Sequence, residues 1–169
     1  MRVAAGLLAL AAMMIAAEAD AAPLVSFDFE ESAQGWGGAK PAALARAALP
    51  KPNPKPGRGG ADEYCLRVPL ELPGAAAAVY RRPIAWKDVQ RLQFDVYAAA
   101  SGAKGLEAGA YVRTSEGLHY RTAKLCPVPA DAWASFTVAV GGGSSEWVPA
   151  GHAKPWGGEA AVQVMELGV

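Results

Sequence analysis

Acidic residues near the start of the chain are the first that suggest chemistry. They lie in "LVSFDFEESAQGW" at 24–36, where Asp28 and Glu30 are two positions apart. In a β-strand such residues point to the same face. Glycoside hydrolysis needs two carboxyl groups about 5 to 10 Å apart, on either side of the sugar. Asp28 and Glu30 alone therefore do not predict a catalytic pair.

A hard cation suits the same carboxylates better. Calcium takes about six to eight oxygen ligands from carboxylates and backbone carbonyls. Asp28 and Glu30 are therefore candidate ligands of a structural calcium ion, with further ligands expected beyond Ala161. In the alternative interpretation, Phe27 and Phe29 anchor a strand in the core and both carboxylates face water. The residues leave both interpretations open.

Aromatic residues suggest a different chemistry, the binding of sugars. The chain has five tryptophans near loops or predicted strand ends. An exposed indole can stack on the C–H face of a sugar ring, whereas a buried one caps a core, and each tryptophan taken singly fits either role. The candidate glycan contacts are Tyr97, Tyr111 and Arg113 on one strand face, and Trp147, His152 and Trp156 in a loop. This grouping assumes that the strands of Tyr97 and Tyr111 lie in one sheet.

Catalytic motifs are missing from the sequence. We find no G-x-S-x-G, H-E-x-x-H or P-loop pattern, and two cysteines cannot form a four-cysteine zinc site. His119 and His152 are the only histidines, and no spacing places either beside a serine or cysteine nucleophile. The formal charge is zero at pH 7 with no basic stripe, so nucleic-acid binding has no electrostatic support. We therefore predict a protein that is not an enzyme.

The N-terminus has the layout of a secretory signal peptide. Arg2 precedes an apolar run from Val3 to Ala17, and small residues follow at Ala19 and Ala21. The run is shorter than the roughly 20 residues of a membrane span. We therefore predict a signal peptide at 1–21, cleavage, and a secreted or periplasmic chain with no membrane attachment.

Cysteine pairing stays open at this point. An oxidising compartment permits a disulfide between Cys65 and Cys126, but sequence cannot show that the two Cα atoms approach within about 7 Å. The alternatives are one bridge or two separate buried thiols.

The rest of the chain alternates short apolar segments with turn residues. We count about eight strands, with a persuasive hairpin around Ser115–Gly117 and no amphipathic helix of ten residues. The proline-rich stretch 40–60 predicts a surface loop. We therefore predict one all-β domain at 22–169, an antiparallel two-sheet β-sandwich. The strand-like pattern runs up to Val169, from which we expect that a last strand or strands follow in a longer protein.

A series of strand phrases resembles a known family. In order, they are "FDFEESAQGW", "CLRVPLEL", "LQFDVYAAA", "AYVRTSEGLHYR", "DAWASFTVAV" and "VMELGV". They are similar to the galactose-binding-like, jelly-roll carbohydrate-binding modules that accompany secreted bacterial glycoside hydrolases. The resemblance implies a jelly-roll sandwich, and it maps Glu30 onto the acidic position of a calcium site. Family members end on an acidic strand that completes this site, and that phrase is absent before Val169.

Three functions follow as expectations, in order of preference. The first is a secreted, non-catalytic domain that binds a polysaccharide or oligosaccharide by aromatic stacking and hydrogen bonds. The second is a structural or protein-interaction domain that packs on a downstream catalytic domain through an apolar edge at Val162, Val164 and Leu167. The third is a small polysaccharide hydrolase or lyase, because a fold does not fix a function.

Overall fold

The computed structural model describes residues 5–16, 23–27, 29–38, 44–53, 63–71, 75–86, 89–99, 105–141, 144–157 and 163–169. These residues form fifteen β-strands and no helix, so none of them belongs to a helix long and apolar enough to cross a membrane. Each predicted strand segment contains a strand, but the fifteen strands exceed the number predicted, about eight. The strands outside the predicted segments are Ala5–Ala16, Trp36–Gly38, Ala45–Ala48, Ile84–Ala85, Cys126–Pro127 and Trp147–Ala150. The all-β, antiparallel fold predicted from the sequence is confirmed.

Six strands form the first sheet, sheet A, and every strand pair in it is antiparallel. The strands are β1 (Ala5–Ala16), β2 (Pro23–Phe27), β4 (Ala45–Ala48), β5 (Tyr64–Glu71), β8 (Arg91–Ala99) and β13 (Trp133–Ala139). Their order is β13-β8-β1-β5-β4, and β2 also pairs with β1.

Seven strands form sheet B, again with antiparallel pairs. They are β3 (Trp36–Gly38), β6 (Ala78–Tyr80), β7 (Ile84–Ala85), β10 (Tyr111–Thr114), β11 (His119–Thr122), β14 (Trp147–Ala150) and β15 (Gln163–Gly168). The order is β14-β11-β10-β15-β6-β3, with β7 on β15. The short strands β9 (Glu107–Ala108) and β12 (Cys126–Pro127) pair with each other.

One hydrophobic core joins the two sheets. Alternate residues of β8, Leu92, Phe94 and Val96, are fully buried and belong to the same cluster as Val112 of β10 and Leu167 of β15. Period-two alternation of this kind gives each sheet one apolar face. Full burial of each such side chain contributes about 1.5–3 kcal/mol, so this shared core holds the sandwich together.

The opening aromatic residues anchor their segment in the core as predicted. Phe27 and Phe29 are both buried, and the Phe27 ring meets the Trp36 ring edge-on at a centroid distance of 5.4 Å. Aromatic pairs in this T-shaped geometry add about 0.5–1.5 kcal/mol beyond the area that they bury. The same stretch therefore supports the core, whatever its carboxylates do.

The proline-rich stretch 40–60 differs in part from the predicted surface loop. Its described part contains β4, which pairs with β5, and Arg46 of β4 places its guanidinium over the Tyr64 ring of β5 at 3.2 Å from the ring centroid. Further on, the Asn53 side-chain amide donates to Asp95 at 3.0 Å, and the Lys51 ammonium pairs with Asp131 at 2.6 Å. Residues 44–53 are thus tied to sheet A, while 54–60 lie outside the described residues.

The N-terminal segment takes a place that the sequence did not predict. Ala5–Ala16, which lies within the predicted signal peptide 1–21, is β1, and β1 runs through the middle of sheet A. Its uncharged, apolar residues suit a strand with neighbours on both sides. Signal cleavage itself stays a prediction.

The two cysteines are separate free thiols, so no bridge joins them, but only Cys65 is buried as the second alternative expected. Cys65 is buried, and burial raises the pKa of its thiol to about 11, with a smaller opposing effect from the Arg67 charge. Cys126 is partly exposed, although burial also raises its pKa.

We predict that iodoacetamide at pH 8 modifies Cys126 about tenfold or more faster than Cys65, because alkylation needs an accessible thiolate. Mass spectrometry of the two cysteine peptides over time measures both rates. In guanidinium chloride the rates should converge. Equal rates in the folded protein would contradict the burial of Cys65.

Candidate functional site

Side chains of opposite charge and one tyrosine share the outer face of sheet B. Along β10 and β11 every second residue is buried, so the residues between them point away from the core. We call this outer surface the cationic face. It comprises Arg81, Tyr111, Arg113, His119, Arg121 and Glu166.

A β-bulge in β15 sets the geometry of the cationic face. Arg113 pairs with Glu166, but the next residue of β10, Thr114, pairs with Val164, so one residue of β15 is skipped. The bulge turns Val164 and Leu167, three positions apart, into the core together. Glu166 is thereby left on the outer face.

Glu166 lies between two arginines, Arg113 of β10 and Arg81, the residue after β6. Its Oε2 atom is 3.5 Å from Nη2 of Arg113 and 3.6 Å from Nε of Arg81. The two arginine side chains are 37% and 50% exposed, and exposed ion pairs contribute only about 0.2–1 kcal/mol. A ligand that offers the arginines a better partner can therefore compete with Glu166.

Tyr111 completes the centre of the face. Its ring lies directly over Gly168, where an added Cβ atom would come within 2.0 Å of the ring. Its hydroxyl donates to Oε1 of Glu166 at 3.1 Å. Burial, and then the Glu166 charge, raise the pKa of Tyr111 well above its usual value, so the hydroxyl stays protonated and remains a donor.

Two more basic side chains extend the face toward β14. Arg121 is the register partner of Tyr111, and His119 is the register partner of Arg113. Both are exposed, and neither forms an ion pair with a residue that the structure describes. Three guanidinium groups thus share the face with a single carboxylate. Guanidinium forks match carboxylates and sulfates with paired hydrogen bonds, so the face has the chemistry of an anion-binding surface.

The structure brings together two of the predicted glycan contacts, Tyr111 and Arg113. Tyr97 lies elsewhere, because it belongs to β8 in sheet A. The assumption that the strands of Tyr97 and Tyr111 share a sheet is therefore wrong. Pairing between strands that are distant in sequence decides this placement, and it leaves no trace in the local pattern.

Tyr97 is also occupied by contacts within the protein. It is 2% exposed, and its hydroxyl donates to Asp131, which pairs with Lys51. Its ring packs on Trp133 at a centroid distance of 5.3 Å. These contacts hold the segment around Lys51 on sheet A, so Tyr97 serves packing and offers no face to a sugar.

Trp147 and Trp156 correct the prediction of an exposed aromatic loop. Their exposures are 3% and 6%, and the two rings stack on each other at a centroid distance of 5.1 Å. Each indole N–H donates to a backbone carbonyl at 2.8 Å, Trp147 to Ala139 and Trp156 to Val140. With the two rings stacked on each other, buried, and each N–H bonded within the protein, the pair offers no exposed face to a sugar.

His152 remains exposed, at the turn after β14. It lines a shallow cleft of about 270 Å³ together with His119. Because His119 belongs to the cationic face, His152 lies at the border of that face.

Glu30 has protein partners where calcium was predicted. Its Oε1 atom accepts hydrogen bonds from the backbone N–H groups of Glu63 and Tyr64 at 2.8 and 3.2 Å. The Arg46 guanidinium donates to the carbonyls of Phe29 and Glu30. Asp28 lies outside the described residues, and the described residues contain no group of three or more His, Cys, Asp or Glu side chains that suits a metal. Calcium binding stays a prediction.

Sequence reasoning missed four residues of the cationic face: Arg81, His119, Arg121 and Glu166. Alternation within the predicted hairpin gave a usable signal for His119 and Arg121, because they occupy the same alternate positions as the outward residues of β10. No local signal marks Arg81 and Glu166, since a bulge and a non-local pairing bring them together.

We predict that Gly168→Ala lowers the free energy of unfolding by about 1–3 kcal/mol, because the new methyl group meets the Tyr111 ring. Tyr111→Ala in the same chain removes the clash, so the double variant should lose less than the two single variants added together. Chemical denaturation measures all four proteins.

Gly157→Ala is the matched control, since an added Cβ atom there meets nothing within 4 Å. Its stability should change by less than about 1 kcal/mol. Additive losses in the double-variant cycle would contradict the placement of Tyr111 over Gly168.

Comparison with protein-family models, curated proteins and solved structures finds no match for this chain. We therefore infer a function from the chain's own residues and from the geometry of the cationic face.

Proposed function

We propose that this protein is a secreted, non-catalytic domain that binds an acidic glycan, a polysaccharide or oligosaccharide with carboxylate or sulfate groups, on its cationic face. The observation that carries the proposal is the row formed by Arg81, which directly follows β6, Glu166 of β15 and Arg113 of β10, with Tyr111 beside it.

Charge supports an anionic ligand. The whole chain has a formal charge of zero, whereas this face carries three arginines and one carboxylate, with two of the arginines beside that carboxylate. At 3.5 and 3.6 Å the contacts of Glu166 with Arg113 and Arg81 are longer than the about 2.7–2.9 Å of a charge-assisted hydrogen bond, so an acid group that hydrogen-bonds directly to one guanidinium gains more than that exposed pair contributes. A sugar carboxylate can therefore displace Glu166 from one arginine while Glu166 keeps the other in place.

Shape supports an extended, repeating ligand. Strands of sheet B carry most of the face, and the outward position of β15 next to Glu166 is Gly168, which has no side chain. The Tyr111 ring over Gly168 is partly exposed, and it presents an apolar surface next to the charged groups. Stacking on one sugar and charge pairing with its neighbour suit a chain of acidic sugars.

Part of the apolar edge that suggested a protein-interaction domain is not available to a partner. Val164 and Leu167 are fully buried in the core, and Val162 lies outside the described residues. Two alternatives stay predictions: a domain that packs on a catalytic partner, and a small hydrolase or lyase. Export of the protein and the absence of catalysis also stay predictions.

We predict that polygalacturonate retards the protein in affinity electrophoresis and that its fully methyl-esterified form does not, because esterification removes the charge and keeps the sugar. Arg113→Gln and Arg121→Gln should each weaken binding about tenfold or more. Added salt should weaken it further.

The matched control is Arg67→Gln, which removes an exposed arginine of β5 in the other sheet and should leave the affinity unchanged. Equal retardation by the charged and esterified polymers would contradict recognition of the acid group. No retardation by any carboxylated or sulfated glycan would contradict the proposed function as a whole.

A further inference from the structure

Both histidines of the chain line one cleft, which we call the histidine cleft. His119 belongs to β11 and His152 lies in the turn after β14, yet the two residues share this cleft of about 270 Å³. The other described residues that line it are glycine, alanine or leucine. In the described lining, the two imidazoles are therefore the only ionisable side chains. Pockets for whole drug-sized ligands are larger, about 300–1,000 Å³, so the cleft suits one group of a longer ligand.

Two glycine turns form the walls of the histidine cleft. The turn between β10 and β11 is closed by a hydrogen bond from the Gly117 N–H to the Thr114 carbonyl at 2.9 Å, and Gly117 has a φ of 77°. In the turn after β14, Gly151 has a φ of 66°. An added Cβ atom at either glycine would meet nothing within 4 Å. The turns therefore leave space for a ligand group beside the imidazoles.

Strand register joins the histidine cleft to the cationic face. His119 is paired with Arg113 of β10 on one side and with Ala150 of β14 on the other. Neighbouring strands lie about 4.8 Å apart, so the cleft begins one strand spacing from the backbone of Arg113. A glycan that places one acid group at Arg113 can therefore extend its next sugar over the cleft.

The charges next to the histidine cleft are mostly positive. The charged residues of the adjoining segments are three cations and two carboxylates: Arg113 on β10, Arg121 on β11, Lys154 after the turn, Glu116 in the hairpin turn and Glu166 on β15. β14 itself has no ionisable side chain, and the Tyr111 hydroxyl of β10 stays protonated. No carboxylate in the described part of the chain forms an ion pair with either histidine. Protonated imidazoles here would favour an anion from outside the protein.

We propose that the histidine cleft is a second acid-group subsite, which binds the carboxylate or sulfate of a neighbouring sugar when His119 and His152 are protonated. Histidine side chains in general gain their charge between about pH 8 and pH 5, and a protonated imidazole donates from both ring nitrogens. Carboxyl groups ordinarily stay ionised above about pH 4. Binding of the anion and binding of the protons strengthen each other, so the affinity for the glycan rises as the pH falls. The inference rests on the proposed function and adds a subsite and a pH dependence to it.

Affinity measured at two pH values tests the subsite. Calorimetric titration of the full chain with a galacturonate oligosaccharide at pH 7.5 and pH 5.5, at constant salt, gives two dissociation constants. We expect binding about tenfold tighter at pH 5.5. His119→Gln and His152→Gln should each reduce this ratio, because glutamine cannot gain a charge. The double variant should bind with the same affinity at both pH values, within about twofold.

The controls separate the histidines from other titrating groups. Arg67→Gln, in the other sheet, should keep the tenfold ratio of the parent chain. A sulfated oligosaccharide, which stays charged at both pH values, should show the same pH dependence, so that protonation of the ligand is excluded. In proton NMR spectra at pH 5.5, the ring C–H resonances of both histidines should shift when either oligosaccharide is added.

The outcomes distinguish the subsite from the proposed function. Equal affinity of the parent chain at the two pH values would overturn the subsite and leave glycan binding by the arginines intact. A pH dependence that persists in the double variant, or histidine resonances that do not move, would also overturn it. No binding of either oligosaccharide at either pH would contradict the proposed function, and the subsite with it.

Discussion

The skipped residue in β15 is the constraint on which both the core and the cationic face depend. In a regular strand, residues two apart share a face, so Val164 and Glu166 would point the same way and Leu167 the other. The bulge lets Val164 and Leu167 both enter the core, where each is fully buried. Glu166 is then free to lie outside between Arg81 and Arg113. A single backbone irregularity thus stabilises the sandwich and places the carboxylate that orders its outer surface.

The strands in the predicted segments could be recognised from local pattern, because apolar and polar residues alternate within each of those segments. The hairpin of β10 and β11 followed from such alternation around a glycine turn, and Gly117 adopts the positive φ of 77° that this turn uses. Which strands pair with each other could not be predicted from this local alternation. Tyr97 and Tyr111 have similar local surroundings, yet they lie in different sheets. The bulge that places Glu166 has no sequence signature of its own, and so the centre of the face was missed.

Burial explains why the tryptophans were misjudged. Trp147 and Trp156 lie close to loops in the sequence. Their indole N–H groups donate to the carbonyls of Ala139, the last residue of β13, and of Val140, which follows it, so the rings can be buried in the core. The N-terminal segment raises the same difficulty, since an uncharged apolar run suits a leader peptide and a central strand equally well. In the structure the segment is a strand of sheet A, and its composition alone does not distinguish a leader peptide from a central strand.

Binding of an acidic glycan to the cationic face is tested most directly by amide chemical shifts during titration of the ¹⁵N-labelled full chain with a galacturonate oligosaccharide. We expect the largest changes at Arg113, Arg121 and Gly168, in three adjacent strands of sheet B. Changes should be small at Tyr97 and Trp133 in sheet A. The absence of any shift, or shifts confined to sheet A, would contradict binding at this face.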